Sequence, residues 1–239
     1  MKKIIPYFKK IAKILLGFIL VVIAVLTCLF FVYNEQLPEG IPSKEAEQLA
    51  EKMLTALGAV AYENTNYLEW TFVGRHHYKW DKQQQLVSIE WGDNKVLLNI
   101  QHPDSSMVWV NKAPVEGDAR LEIIETAVGY FNNDSFWLVA PLKIFDPGTE
   151  RRIVLLENGE KALLVTYTSG GNTPGDSYLW LLDESGLPYA LKIWASVIPI
   201  GGVKATWDSW KSTESGVLLP TQHKLLFLNI SMGEVKAWN

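Results

Sequence analysis

Hydrophobic and polar positions change rhythm along this chain. From Ile14 to Tyr33 the sequence ILLGFILVVIAVLTCLFFVY runs for twenty residues without a charge. A helix of that length spans roughly 30 Å, the thickness of a bilayer's hydrocarbon core. After a stretch with two prolines and a glycine (34–43), the rhythm becomes helical. Ala46, Leu49, Ala50, Met53, Leu54 and Leu57 recur on one face, opposite Lys44, Glu45, Glu47, Gln48 and Lys52. Ser43 reads as the N-cap and Gly58 as the stop.

Beyond Leu68 the period falls to two. LEWTFV, RHHYKWD, QLVSIEW, KVLLNIQ and SMVWVN follow one another, with a tight hairpin signal at Gly92-Asp93-Asn94. A second helical stretch, about Asp118 to Phe131, carries Leu121, Ile124, Ala127, Val128 and Phe131 on one side. Strands resume with RIVLLE, ALLVTYT, DSYLWLLD, YALKIW, VKATWDSW and HKLLFLNI, and loops are read at ENGE, TSGGNTPG, DESGLP and STESGVLLP. The pattern predicts about eleven antiparallel strands and two helices in one domain. In RHHYKWD, His76, Tyr78 and Trp80 share one face; in QLVSIEW, Val87, Ile89 and Trp91 do. YLWLL and LLFL are apolar on both faces, so those strands are expected to be covered twice or to line an apolar cavity.

Charge sets the orientation. Lys2, Lys3, Lys9, Lys10 and Lys13 precede the apolar run with no acid among them; residues 34–239 hold 17 basic and 26 acidic residues, a net charge of −9. Positive charge stays on the cytoplasmic side, so the chain reads as a single-pass protein of the inner membrane. Its N-terminus is inside and its main domain periplasmic. The run is longer than a signal peptide's apolar region and lacks a small-residue cleavage pattern. Cys28 has Thr27 before it and apolar residues after it, and reads as part of the membrane helix rather than a lipidation site. It also excludes an intramolecular disulfide and a multi-cysteine zinc centre. The acidic domain argues against nucleic acid.

Candidate chemistry is sparse. No G-x-S-x-G or phosphate loop is present, so no catalytic residue is assigned. His76 and His77 are neighbours on a strand and point to opposite faces, so they cannot chelate one ion; His102 and His223 lie in other segments, and no metal ligand or cofactor is assigned. Asp134, Asp146, Glu150, Arg151 and Arg152 read as solvated charges around turns. The protein has ten tryptophans. Trp80, Trp91, Trp109, Phe136, Trp137, Trp180 and Trp194 are the candidate wall of an apolar cavity, each with core filling as the alternative.

Several features together resemble the periplasmic lipoprotein-carrier superfamily of LolA and LolB: the membrane-proximal amphipathic helix, the long antiparallel sheet and the central helical insertion. DESGLPYALKIW, TWDSWKSTESGVLLPTQHKL and FWLVAPLKIFDPG are similar to hairpins and crossings of that superfamily. The resemblance implies an unclosed β-barrel over residues 44–239, covered by helices, which binds an acyl chain or lipid in envelope lipid or lipoprotein handling. An anchored chain departs from a soluble carrier, which must shuttle. Two further readings stand beside this one: a tethered scaffold with a filled core that holds a protein partner, and a hydrolase with an unrecognised site.

Overall fold

The amphipathic helix forms where its caps place it. The computed structural model describes residues 4–169 and 173–239. Lys2 and Lys3 therefore lie outside the described residues, as does the centre of the TSGGNTPG loop. Helix α1 (Ile4–Tyr33) contains the apolar run, and from Lys13 to Tyr33 it is long and apolar enough to cross a membrane. Helix α2 (Lys44–Leu57) starts where the Ser43 hydroxyl accepts from the Ala46 N–H, 3.2 Å away, and stops at Gly58, whose φ of 75° is left-handed. Its buried residues are Ala46, Ala50, Met53 and Leu57. A short α3 (Ala59–Asn64), absent from the sequence expectation, follows at once.

Two seven-stranded antiparallel sheets form the body. The first contains β1 (Tyr67–Phe72), β2 (His76–Asp81), β3 (Leu86–Trp91), β4 (Asn94–Asn99), β5 (Met107–Val110) and β6 (Ala113–Pro114). The chain then crosses through α4 (Asp118–Val139) to the second sheet. That sheet contains β7 (Thr149–Leu155), β8 (Lys161–Tyr167), β9 (Ser177–Leu182), β10 (Pro188–Trp194) and β11 (Val203–Thr206). A small hairpin of β12 (Trp210–Ser212) and β13 (Leu218–Pro220) precedes β14 (Gln222–Leu225) and β15 (Leu228–Ser231), which complete the second sheet. The last strand, β16 (Lys236–Trp238), returns to pair with β1. The two sheets meet at a seam, where the Thr71 and Val73 N–H groups donate to Met232 O (3.0 Å) and Ser231 O (2.8 Å). Neither sheet closes into a barrel.

The face assignments hold on the early strands. Tyr78 and Trp80 are buried while His77 and Lys79 are exposed, and Val87 and Ile89 are buried beside exposed Glu90. Trp91 pairs with Asn94 across a two-residue turn. On β9, Leu179, Trp180 and Leu181 are all buried, so this strand is covered on both faces as expected.

Three expectations are corrected. LLFL is not a covered strand: Leu226 adopts φ 53° and the segment turns between β14 and β15, leaving Leu226, Phe227 and Leu228 at 62%, 83% and 51% exposure. VKATWDSW breaks after Thr206, where fully buried Trp207 turns into the core. The second helix does not end at Phe131 but runs to Val139 and tightens through a 3-10 turn, Ala140–Leu142. Phe136 and Trp137 therefore stand on the helix itself rather than beyond its end. The helix stops there because Pro141 has no N–H to continue the ladder.

Residues 34–43 are laid across the outer face of the second sheet. Glu35 meets Lys192 and Trp194 on β10, and Ile41 bridges to Ile153 on β7. This strap lies over a small outer core of Ala162, Leu164, Leu179, Leu181 and Ala190, into which Trp194 and Val154 also pack.

Candidate functional site

Helix α4 lies between the sheets and carries two side-chain clusters, three residues apart along its inner face. The first is polar. Asp134 is 1% exposed, and its Oδ2 accepts from the Tyr78 hydroxyl at 2.6 Å and meets His76 Nδ1 at 2.7 Å. Its Oδ1 accepts from Asn133 Nδ2 at 2.8 Å. Rings enclose this carboxylate: His76 stacks on Tyr130 at 4.1 Å, Tyr78 on Trp70 at 4.4 Å, and Trp91 meets Tyr130 edge-on. Burial pushes the Tyr78 hydroxyl far above its usual range and the Asp134 carboxylate adds to the effect, so it stays a donor at all ordinary pH. The arrangement can hold a buried charge. Among the described residues the hydrogen-bond partner of the His76 ring is Asp134.

The second cluster is aromatic. Trp207 sits at its centre, stacked on Trp137 at 5.6 Å, edge-on to Trp180 at 5.0 Å and to Phe136 at 6.0 Å, and 4.0 Å from His223. Phe136 also meets Tyr178 at 4.6 Å. Both ring nitrogens of buried His223 face backbone carbonyls: Nε2 lies 2.7 Å from Trp137 O and Nδ1 lies 3.0 Å from Thr206 O. In a continuing helix Trp137 O would accept from residue 141, which is proline; His223 Nε2 stands where that donor is missing. Burial pushes the His223 pKa down to about 4, against the opposing pull of the two carbonyls and Asp208. A neutral ring can donate to only one of those oxygens.

Of the candidate wall residues, Phe136, Trp137 and Trp180 are brought together here, and Trp80 and Trp91 line the polar cluster through Phe131 and Tyr130. Trp109 lies on the face of β5 opposite buried Val108, away from the core. Trp194 lies on the outer face of the second sheet, donating from Nε1 to Glu35 O at 2.9 Å. Two central residues escaped the sequence reading, Trp207 and Asp134. Trp207 stood in an apparent strand and Asp134 in an apparent turn, and nothing local marks either as interior. The indole N–H groups of Trp70, Trp80, Trp180 and Trp207 are buried without an acceptor among the described residues.

Of the charges expected to be solvated around the turns, Asp134 is buried elsewhere and Asp146 pairs with Lys143, while Arg151 and Arg152 are partly buried beside Glu150. Arg151 bonds Glu47 at 2.8 Å and the Ile144 carbonyl at 2.8 Å, while Arg152 reaches Glu39 O and Thr166 Oγ1. These arginines, with Glu39, Glu47, Glu150 and Thr149, wall a surface cleft of about 740 Å³. Among the described residues no group of three His, Cys, Asp or Glu is placed to hold a metal ion.

No protein-family model matches the sequence, and no curated protein matches it. Among solved structures, the chain is similar in outline to a DUF1329 family protein from Desulfovibrio piger. The TM-score is 0.41 at 11% sequence identity, over 82% of this chain and 93% of that one.

Proposed function

We propose that the chain is a single-pass protein of the inner membrane whose LolA-like half-barrel stands outside the cytoplasm and works through its surface, as a tethered scaffold. The observation that carries this reading is the filled interior. Trp70, Trp180 and Trp207 are fully buried, the ring contacts around Trp207 lie at 4.0–6.0 Å, and the large cleft is walled by charged side chains. An acyl-chain site needs an apolar cavity of several hundred Å³. The apolar run of α1 and the lysines before it support the anchor and its orientation.

The carrier reading has one observation in its favour. These buried indole N–H groups lack acceptors among the described residues, and the ester oxygens of a lipid could supply them if the end of α4 moved aside. Native mass spectrometry of the detergent-solubilised full chain separates the two. A scaffold appears at the mass of the bare chain once detergent is stripped; a stoichiometric lipid adduct surviving that activation overturns the scaffold and restores the carrier.

A further inference from the structure

The end of the domain where α1 leaves off is held without slack, and its nearest carboxylates are engaged, Glu35 by Lys192 and Asp176 by Ser196 N. Asn34 N donates to Phe30 O at 2.8 Å, so the helical ladder reaches the first strap residue. Immediately, Asn34 Oδ1 accepts from Gly201 N at 2.8 Å and Glu35 N donates to Gly201 O at 3.0 Å. Glu35 is further fixed by Lys192 and by the Trp194 indole. The approach is close enough to require glycine: a Cβ on Gly201 would stand 2.6 Å from Glu35 O and 2.6 Å from Trp194 Cδ1. The β10–β11 loop is therefore bound directly to the end of the apolar helix.

Strand register places a second tip beside it. β11 pairs antiparallel with β14 through Ala205 and Leu225, so the β14–β15 turn points to the same end as the β10–β11 loop, on the neighbouring hairpin. The two tips hold the two most exposed large apolar residues outside α1, Phe227 at 83% and Val197 at 74%. Leu226, Phe227 and Leu228 form a run of three exposed apolar residues, a pattern that soluble surfaces avoid unless it is used. In a domain of net charge −9, residues 195–206 and 222–231 contain no acid, and each carries one lysine, Lys204 and Lys224.

We infer that these two tips, Val197 in one and Leu226 to Leu228 in the other, insert into the interfacial region of the bilayer that α1 crosses, fixing the domain upright on the membrane. The inference rests on the anchored reading above and adds to it a lipid-contacting surface. Apolar side chains gain by leaving water at the headgroup–acyl boundary.

The test uses the full chain in phosphatidylcholine–phosphatidylglycerol liposomes, with Cys28→Ala as background. Single cysteines replace Phe227, Val197 or Leu155 and carry a nitroxide. Leu155 is 68% exposed and ends β7 at the opposite end of the sheet, which makes it the aqueous reference. Expected are labels at 227 and 197 several-fold less accessible than that at 155 to a water-soluble nickel chelate and more accessible to oxygen. Chelate accessibility equal at all three positions, with the protein still membrane-bound after alkaline carbonate washing, overturns the insertion and leaves the anchor standing. Release of the protein by carbonate overturns both.

Discussion

The two clusters on α4 solve the same packing problem with opposite chemistry. Around Asp134 the carboxylate is matched, meeting a phenol, an imidazole and an amide, while the Trp70 and Trp80 indoles beside it find no acceptor among the described residues. Around Trp207 area dominates and polar matching is incomplete, with the Trp180 and Trp207 indoles unpaired and His223 facing two acceptors with one neutral proton. A matched polar cluster fixes one orientation of the helix, because any slip leaves a buried charge unsatisfied. An aromatic cluster supplies burial but tolerates small shifts. The first sheet thus fixes where α4 sits, while Trp180 of the second sheet and Trp207 beyond β11 cover the end of the helix.

The comparison breaks first at Trp207. Truncation to Ala removes the ring on which four others pack, and should destabilise the domain by about 3–5 kcal/mol, read as a lowered urea midpoint of the detergent-solubilised chain. Asp134→Ala comes next: it strands the Tyr78 hydroxyl and the His76 ring, at a cost of about 2–3 kcal/mol. Asp134→Asn should recover part of that loss; equal midpoints for the two variants would show that the carboxylate's hydrogen bonds do not matter.

His223 sharpens the contrast through pH. Its pKa falls to about 4 in the folded chain from the usual 6.5, so the unfolded chain takes up a proton first on acidification. The contribution of the neutral ring is complete above pH 6.5 and is lost as pH falls from there toward 4. At pH 5 the wild type should have lost about 2 kcal/mol that a His223→Gln variant does not lose. Parallel melting-temperature profiles for the two proteins between pH 7 and pH 4.5 would contradict this assignment.

The smallest effect belongs to Leu226. Read as a doubly covered strand residue it would be a core position; placed at an exposed turn, its truncation to Ala should change stability by no more than about 0.5 kcal/mol. A large drop in the midpoint would mean that the turn is buried after all.

Local signals were legible where local physics decides. Ser43 and Gly58 bounded α2, and alternation gave the buried faces of β2 and β3. The end of α4 was not legible, because Asn132-Asn133-Asp134 reads as a turn until Tyr78 and His76, more than fifty residues away, satisfy the carboxylate within the helix. The β14–β15 turn was hidden for a different reason: Leu226 takes a left-handed φ without the glycine or asparagine that usually announces one. Among the candidate wall residues, chemistry selected seven large rings, but only the crossing of α4 between two sheets brought Phe136, Trp137 and Trp180 together and left Trp109 and Trp194 outside.

The sequence by itself determined the apolar run, the charge before it, the amphipathic helix and the period-two body, because each depends on side chains within a few residues of one another. Whether that body is hollow or full was decided only in three dimensions. Two sheets can enclose a cavity with the same alternation that encloses a core. The difference lies in how far Trp207 turns inward after β11 and how far α4 runs before Pro141, and both depend on partners from distant parts of the chain.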